Sequence, residues 1–390
     1  MKIKEIGKVI TGKTPTTKKS EYFEGDILFI TPSDITNGGY IDETERHISK
    51  SGLNSIKNNS ITGISILVGC IGSDMGNVAW TDKTCASNQQ INAITNIREN
   101  INPLYIYYWL SQKKVYLQQL AGTTTTPILP KSNFEEIDIP IPSKNIQDSI
   151  VEVLKSLDEK IENNNAINAE LESMAKTIYD YWFLQFEFPN EEGKPYKSSG
   201  GKMVWNEELK REIPENWKVK KISKIAELYQ SQTISEKELI DNGSYLVYGA
   251  NGIVGKYDKY NHEENEIAVC CRGASCGEYL MTLPKSWITG NSMVIHPNED
   301  FNYKEYLYYS LSKNRIQPFI TGSAQPQITR SNLGNMPQII ATKNVIENFE
   351  RIASDIRKKI QIANYENQEL ISLRDFLLPL LMNGQVGFKE

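Results

Sequence analysis

The stretch that decides the fold is Asn145–Phe186, NIQDSIVEVLKSLDEKIENNNAINAELESMAKTIYDYWFLQF. Steps of four and three along it reach Ile146, Ile150, Val153, Leu157, Lys160, Asn164, Ile167, Leu171, Met174, Ile178 and Tyr181. Nine of these eleven are apolar or aromatic, and the two polar ones are neighbours in the series. Two apolar residues in seven make the seam of a long helix packed on another long helix. Moved on by 199 residues, the series becomes Val345, Phe349, Ile352, Ile356, Lys359, Ala363, Glu366, Leu370, Leu373, Leu377 and Leu380. The seam returns, and so does its weak middle. An apolar stripe alone means core packing; the same stripe with its lapse at the same place means an internal repeat. About 40 helical residues at roughly 1.5 Å each span on the order of 60 Å, more than a small domain needs, so these helices are expected to act as spacers.

The rest of the chain repeats with them. Ile66-Leu67-Val68-Gly69-Cys70-Ile71-Gly72-Ser73-Asp74-Met75-Gly76 and Ile267-Ala268-Val269-Cys270-Cys271-Arg272-Gly273-Ala274-Ser275-Cys276-Gly277 both read I-x-V-x-C-x-G-x-x-x-G. Asn102, Tyr107-Tyr108 and Leu110-Ser111 answer Asn302, Tyr308-Tyr309 and Leu311-Ser312. The expected order is a globular domain over 1–143, a long helix over 144–186 and a connector over 187–217, then a second domain over 218–342 and a second helix with tail over 343–390. Strands are expected at Ile27–Ile30 and Ile64–Ile71, and a helix over Pro103–Leu120, with Pro at its first turn. Trp205 and Trp217 are expected to pin the connector. The class is α+β: two tandem domains separated by two long antiparallel, coiled-coil-like helices about a pseudo-two-fold axis. Two heads at a fixed separation suit a two-part target, for which duplex DNA is the obvious case.

Composition agrees with a water-soluble chain. Its 390 residues have a mean hydropathy of −0.45. No run of eighteen apolar residues suggests a membrane span, and MKIKEIGKVITG lacks the apolar core of a signal peptide, so a cytoplasmic location is expected. Five cysteines have no framework spacing, and the three histidines do not stand at metal-ligand spacing from them; free thiols and no metal site are expected. The net charge of −5 does not favour nucleic acid. Most of the deficit lies in residues 144–186, with 4 basic and 8 acidic side chains; residues 1–143 carry 14 of each sign.

Gly7-Lys8-Val9-Ile10-Thr11-Gly12-Lys13-Thr14 satisfies the phosphate-loop pattern. That chemistry needs a preceding apolar strand and a helix opening at the Lys-Thr pair, whereas Pro15-Thr16-Thr17-Lys18-Lys19 follows. The second repeat has Ala226 to Thr233 there, with no glycine. A nucleotide-binding enzyme is therefore a lesser alternative, and so is a protein-binding scaffold. No catalytic set of residues emerges. The binding candidates lie on loops: Lys13 and Thr14, Asn88, Gln89 and Gln90, and Thr124 and Thr125 in the first repeat. In the second they are Gln232, Tyr248, Asn251, Arg272, Asn291, Gln325, Gln327 and Arg330. Asn and Gln can pair with adenine, Arg with guanine, and Thr methyls can touch thymine. Apolar helix residues in excess of one seam, namely Val151, Leu154, Met174, Tyr179 and Trp182 with Leu377 and Leu380, are candidates for docking other subunits.

Over essentially its whole length the chain resembles the specificity subunit of type I restriction-modification systems. The resemblance rests on Ile10-Thr11-Gly12-Lys13-Thr14-Pro15, on Gly193-Lys194-Pro195-Tyr196-Lys197-Ser198-Ser199-Gly200-Gly201 and on Ile213-Pro214-Glu215-Asn216-Trp217. It also rests on Tyr248-Gly249-Ala250-Asn251-Gly252-Ile253-Val254-Gly255 and Leu373-Arg374-Asp375-Phe376-Leu377-Leu378-Pro379-Leu380-Leu381-Met382-Asn383-Gly384. It implies two target-recognition domains, each reading one half of a bipartite site in double-stranded DNA. It implies helices that set the gap and dock two modification (methyltransferase) subunits, with restriction subunits joining that core. It implies no catalysis and no cofactor in this chain, with S-adenosylmethionine and ATP with magnesium on the partner subunits.

Overall fold

The computed structural model describes residues 1–36, 38–72, 74–121, 127–240, 243–250, 252–322 and 325–387. The chain divides into two compact units, Met1–Glu162 with Gln368–Glu390, and Asn163–Asn367.

The first unit is built on β1 (Lys8–Thr11), β2 (Ser65–Gly69), β3 (Val78–Thr81) and β4 (Ile91–Thr95). They lie side by side in the order β1-β4-β2-β3, all antiparallel, with Gly39–Tyr40 added parallel to β3. Every residue of β2 and β4 is buried, because both faces of the sheet are covered. Ile66, Val68 and Ile94 face the larger core, with Tyr105, Ile106 and Leu110 of the helix Pro103–Ser111. Leu67, Ile91 and Ala93 face a smaller core with Ile30, Ile35 and Ile61. A second small sheet sets Ile27–Ile30 between His47–Ile48, antiparallel, and Cys85–Ser87, parallel.

The second unit repeats this topology. Its strands β5 (Ala226–Tyr229), β6 (Ile267–Cys270), β7 (Tyr279–Met281) and β8 (Ser292–Pro297) run in the order β5-β8-β6-β7. The registers correspond: Ile66 faces Ile94 as Ile267 faces Ile295. Tyr245–Gly249 lies between Gly252–Tyr257, antiparallel, and Trp287–Ile288, parallel. The sequence repeat is thus a repeat of sheet order and register.

The long helices are α1 (Lys144–Tyr179), continued by a π-helical turn over Asp180–Leu184, and α2 (Lys343–Met382). They pack antiparallel. In the first unit Arg374 Nη1 donates to Asp158 Oδ1 at 3.0 Å. In the second, Asn164 Nδ2 donates to Asn367 Oδ1 at 2.9 Å and Asn168 Nδ2 to Asn364 Oδ1 at 3.0 Å. The weak middle of the seam is therefore a paired polar layer: Asn164 is buried, and its amide also donates to Glu366. Such a layer favours one register of a helix pair over its slipped alternatives.

The buried arc of α1 is not the seam itself. Ile146, Ile167, Met174 and Tyr181 are exposed, while Gln147, Val151, Leu154, Ala175 and Tyr179 are buried. The period is right and the arc is rotated, because each helix segment packs on its own globular domain as well as on the other helix. Val151 and Leu154 lie in the core of the first unit. Tyr179 lies in that of the second, its ring 5.6 Å from Phe349 and 6.2 Å from Tyr309. Val151, Leu154 and Tyr179 are consequently core residues and not docking residues.

Two further expectations are corrected. The helix over Pro103–Leu120 is two helices, Pro103–Ser111 and Lys114–Leu120. Ser111 and Gln112 side chains both bond the carbonyl of Tyr108 at the break. The connector is partly ordered into a hairpin of Met203–Asn206 and Arg211–Pro214. Trp217 pins it, buried in the core of the second unit with its ring 5.7 Å from Phe183, whereas Trp205 is 57% exposed.

Candidate nucleic-acid interface

In each unit three loops are tied into one frame by main-chain hydrogen bonds. In the first, Cys70 N donates to Gln90 O at 2.7 Å, Gly72 N to Pro127 O at 3.2 Å and Leu129 N to Cys70 O at 2.9 Å. In the second, Cys271 N donates to Asn291 O at 3.1 Å, Gly273 N to Pro326 O at 3.2 Å and Ile328 N to Cys271 O at 3.0 Å. The turn glycines match in conformation as well. Gly72 and Gly273 have φ of 85° and 83°, and Gly76 and Gly277 have 86° and 95°, values that favour glycine. These turns bring residues from three distant stretches onto one surface.

A fourth loop joins from the N-terminal strand. Gly12 N donates to Ile91 O at 2.9 Å, and a Cβ on Gly12 would stand 2.0 Å from the carbonyl oxygen of Asn88. The glycine is there for close approach of two main chains. Lys8–Thr11 is a sheet strand and no helix opens at Lys13-Thr14, so the geometry of a phosphate loop is missing. The ladder registers Ile10 with Ala93 and Tyr229 with Val294, which places Gln232 and Thr233 where Lys13 and Thr14 stand.

On the first surface Lys13 and Gln89 are exposed, Thr14 is half-buried, and Thr14 Oγ1 donates to Gln89 Oε1 at 3.1 Å. Asn88 and Gln90 are half-buried and bonded to each other, so their amides are held in place. On the second, Gln232, Arg272, Asn291, Gln325, Gln327 and Arg330 are all exposed. Arg272 and Gln327 face each other across an antiparallel bridge. Thr124, Thr125 and Asn251 lie outside the described residues. Tyr248 does not belong to the surface. It is 6% exposed and its hydroxyl accepts a hydrogen bond from Leu283 N, because its strand is the middle one of the small sheet. Sequence reading passed over Ile71 and Ile128, which hold the bridge positions of Arg272 and Gln327. The glycine-turn alignment was the signal for the first of them.

Each surface belongs to a domain locked onto the helix pair. In the first unit the hydroxyl of Tyr108 donates to Asp158 Oδ2 of α1 at 2.7 Å, and Arg374 of α2 binds the other oxygen. Burial, then Asp158, pushes the Tyr108 phenol well up, so it keeps the proton that it donates to Asp158. In the second unit Tyr309 donates to Glu172 of α1 at 3.1 Å, and Arg357 of α2 grips Glu305 with Nε 3.1 Å from both carboxylate oxygens. Each lock joins a domain helix, α1 and α2 through a tyrosine, a carboxylate and an arginine.

The family described as Type I restriction modification DNA specificity domain matches residues 1–173 and 214–344. The chain belongs to the type I restriction-modification specificity subunits. It is similar to the type I restriction enzyme MjaIX specificity subunit of Methanocaldococcus jannaschii, 29% identical over 415 residues covering 100% of this chain and 93% of that one. It is also similar to the HindI specificity subunit of Haemophilus influenzae, 36% identical over 169 residues, 41% of this chain and 36% of that one. Among solved structures, an S subunit of a type I restriction-modification system from M. genitalium covers 98% of this chain and 95% of its own, with a TM-score of 0.59 at 18% identity. That likeness concerns the fold. As a specificity subunit the chain recognises DNA and is non-catalytic. Among the described residues no helix is long and apolar enough to cross a membrane, and no cluster of His, Cys, Asp and Glu could hold a metal ion.

Proposed function

We propose that the two tied-loop surfaces are the reading surfaces, each facing one half of the bipartite site. The observation that carries this is the matched frame with unmatched side chains. Main-chain bonds hold both frames in the same form, yet one presents Lys13 and Gln89 and the other Gln232, Arg272, Asn291, Gln325 and Gln327, with threonine matched at 14 and 233. Identical scaffolds with different base-edge chemistry are what reading two different half-sequences requires. Cationic side chains on the same surfaces, Lys13, Arg272 and Arg330, supply phosphate contacts in a chain of net charge −5. The domains at 1–143 and 218–342 are the recognition domains in this reading.

The long helices dock two modification subunits through apolar side chains that keep exposed surface, although Trp182 and Leu377 also pack at the edges of the cores. Met174 is 48% exposed, Trp182, Leu377 and Leu380 are half-buried, and Leu373 and Phe376 are 46% and 65% exposed. The restriction subunits join this core in the cytoplasm. S-adenosylmethionine and ATP with magnesium are bound by the partners.

The test is methylation by this chain assembled with its modification subunit, on DNA libraries randomised in one half-site at a time. Arg272→Ala with Gln325→Ala should lower methylation of the cognate site by about tenfold or more, since roughly 1.4 kcal/mol suffices. Relaxed preference should appear only in the half read by residues 218–342. A change in the other half, or in neither, overturns the assignment.

A further inference from the structure

We infer that Ile71 and Ile128 form a thymine-methyl reader in the first recognition domain, at the place where the second domain carries Arg272 and Gln327. The inference rests on the proposed reading surface and adds a base identity to it.

Ile71 and Ile128 face each other across an isolated antiparallel bridge. The flanking bonds run from Gly72 N to Pro127 O and from Leu129 N to Cys70 O. That pattern makes Ile71 and Ile128 a non-hydrogen-bonded pair, in which the two Cα atoms approach to about 4.5 Å and both side chains leave on the same face. The residues behind them, Cys70 and Leu129, are 3% and 2% exposed. Ile128 itself is 49% exposed and Ile71 is half-buried. Two β-branched side chains thus stand together at the surface, beside Gln90, whose carbonyl closes the same frame.

The fold does not require them to be apolar. Arg272 and Gln327 occupy the same pair of positions with the same flanking bonds, and both are exposed and polar. An apolar pair on a surface otherwise made of Lys, Thr, Asn and Gln therefore answers to something outside the chain. On the major-groove edge of a base pair the group recognised by an apolar side chain is the C5 methyl of thymine, the only methyl group that the four bases present there. Arg and Gln at the matched positions suit guanine and adenine. The two domains thus have opposite chemistry at one geometrically equivalent point.

The test uses the assembled complex of the full chain with its modification subunit. The probes are duplexes carrying the cognate site with each thymine in turn replaced by deoxyuridine, which removes only the methyl group. Binding should weaken about fourfold at one or two thymines in the half-site read by residues 1–143, the equivalent of one buried methyl. In Ile71→Ser with Ile128→Ser, binding should be weaker and no longer distinguish thymine from uracil there. A scan on the unmodified protein in which no thymine of that half-site responds overturns the inference even if the variant folds poorly. If Lys13→Ala and Gln89→Ala weaken DNA binding while no thymine in that half responds to uracil, the pair is only a surface plug and the inference falls. If those two variants also leave binding unchanged, the reading surface itself is misplaced, and the inference falls with it. Uracil discrimination that persists in the Ile-to-Ser variant likewise overturns it.

Discussion

Arg357→Met tests the lock that holds the second recognition domain to the helices. Arg357 and Glu305 are nearly buried, with side chains 10% and 5% exposed, and three guanidinium contacts to Glu305 lie at 3.1 Å. Burial is the largest influence on Glu305, ahead of Arg357, and pushes its carboxyl up to about 7. Removing the arginine leaves that carboxylate without its cation and beside Glu172 and Glu350, at a cost of about 3–5 kcal/mol at pH 8. The folded-state pKa already lies above the unfolded value near 4.5, so the folded state binds the extra proton. Stability from this group is present at low pH and is lost as pH rises through the folded pKa. Without Arg357 the folded pKa rises further, and the variant should regain up to about 4 kcal/mol between pH 8 and pH 5, at roughly 1.4 kcal/mol per unit. Adding Glu305→Gln should recover most of the loss at pH 8 and flatten the pH dependence. The assay is urea unfolding of the full chain followed through Trp217, which lies in the same core. A single-variant cost below about 1 kcal/mol, or a double variant no more stable than the single at pH 8, would refute the reasoning.

His262 is 8% exposed, and burial first, then His296 and Lys304, hold its pKa down at about 4. The unfolded chain then binds the extra proton below about 6.5, so stability should fall by about 2 kcal/mol from pH 6.5 to pH 5 and His262→Gln should abolish most of that slope in urea titrations. Lys13→Ala should weaken DNA binding and lower the salt dependence of log K by about one unit, with ATP hydrolysis per DNA-bound complex unchanged; filter binding across a salt series reads the first and a phosphate-release assay the second. Placing Arg and Gln at the positions of Ile71 and Ile128 should leave stability within about 0.5 kcal/mol and alter preference only in the half-site read by residues 1–143, as a randomised-library methylation assay would report.

What was legible in the sequence was whatever local chemistry dictates. The glycines at 72, 76, 273 and 277 announced turns because positive φ favours glycine, and the structure places all four there. The period of the long helices was legible because it follows from 3.6 residues per turn. Their buried arc was not, since a residue such as Tyr179 is claimed by a domain core that the helix sequence does not mention. Tyr248 was misread for the same kind of reason. Its turn glycines are local, but its inward face depends on parallel pairing with Trp287–Ile288, about 40 residues away. Asn164 looked like a flaw in an apolar seam, and its partners, Glu366 and Asn367, are about 200 residues distant. Ile128 was passed over because an isolated apolar residue in a loop carries no local signal of its own.

The distribution of bonding types in the molecule separates what must stay from what can change. The tied-loop frames close through main-chain N–H and C=O groups, which every residue but proline supplies in full. Side chains at 71, 128, 272 and 327 can therefore vary without opening the frame, and the two domains already differ there. The locks to the helices work the other way. Tyr108, Asp158 and Arg374 in one unit, and Tyr309, Glu172, Glu305 and Arg357 in the other, bond through side chains that are largely withdrawn from water. Losing one member leaves buried partners unsatisfied, which costs more than the lost bond itself. A specificity subunit needs this division, because a new target sequence should change base contacts and leave the attachment of each reading head to its helices intact. The main-chain frame permits the first, and the buried side-chain locks enforce the second.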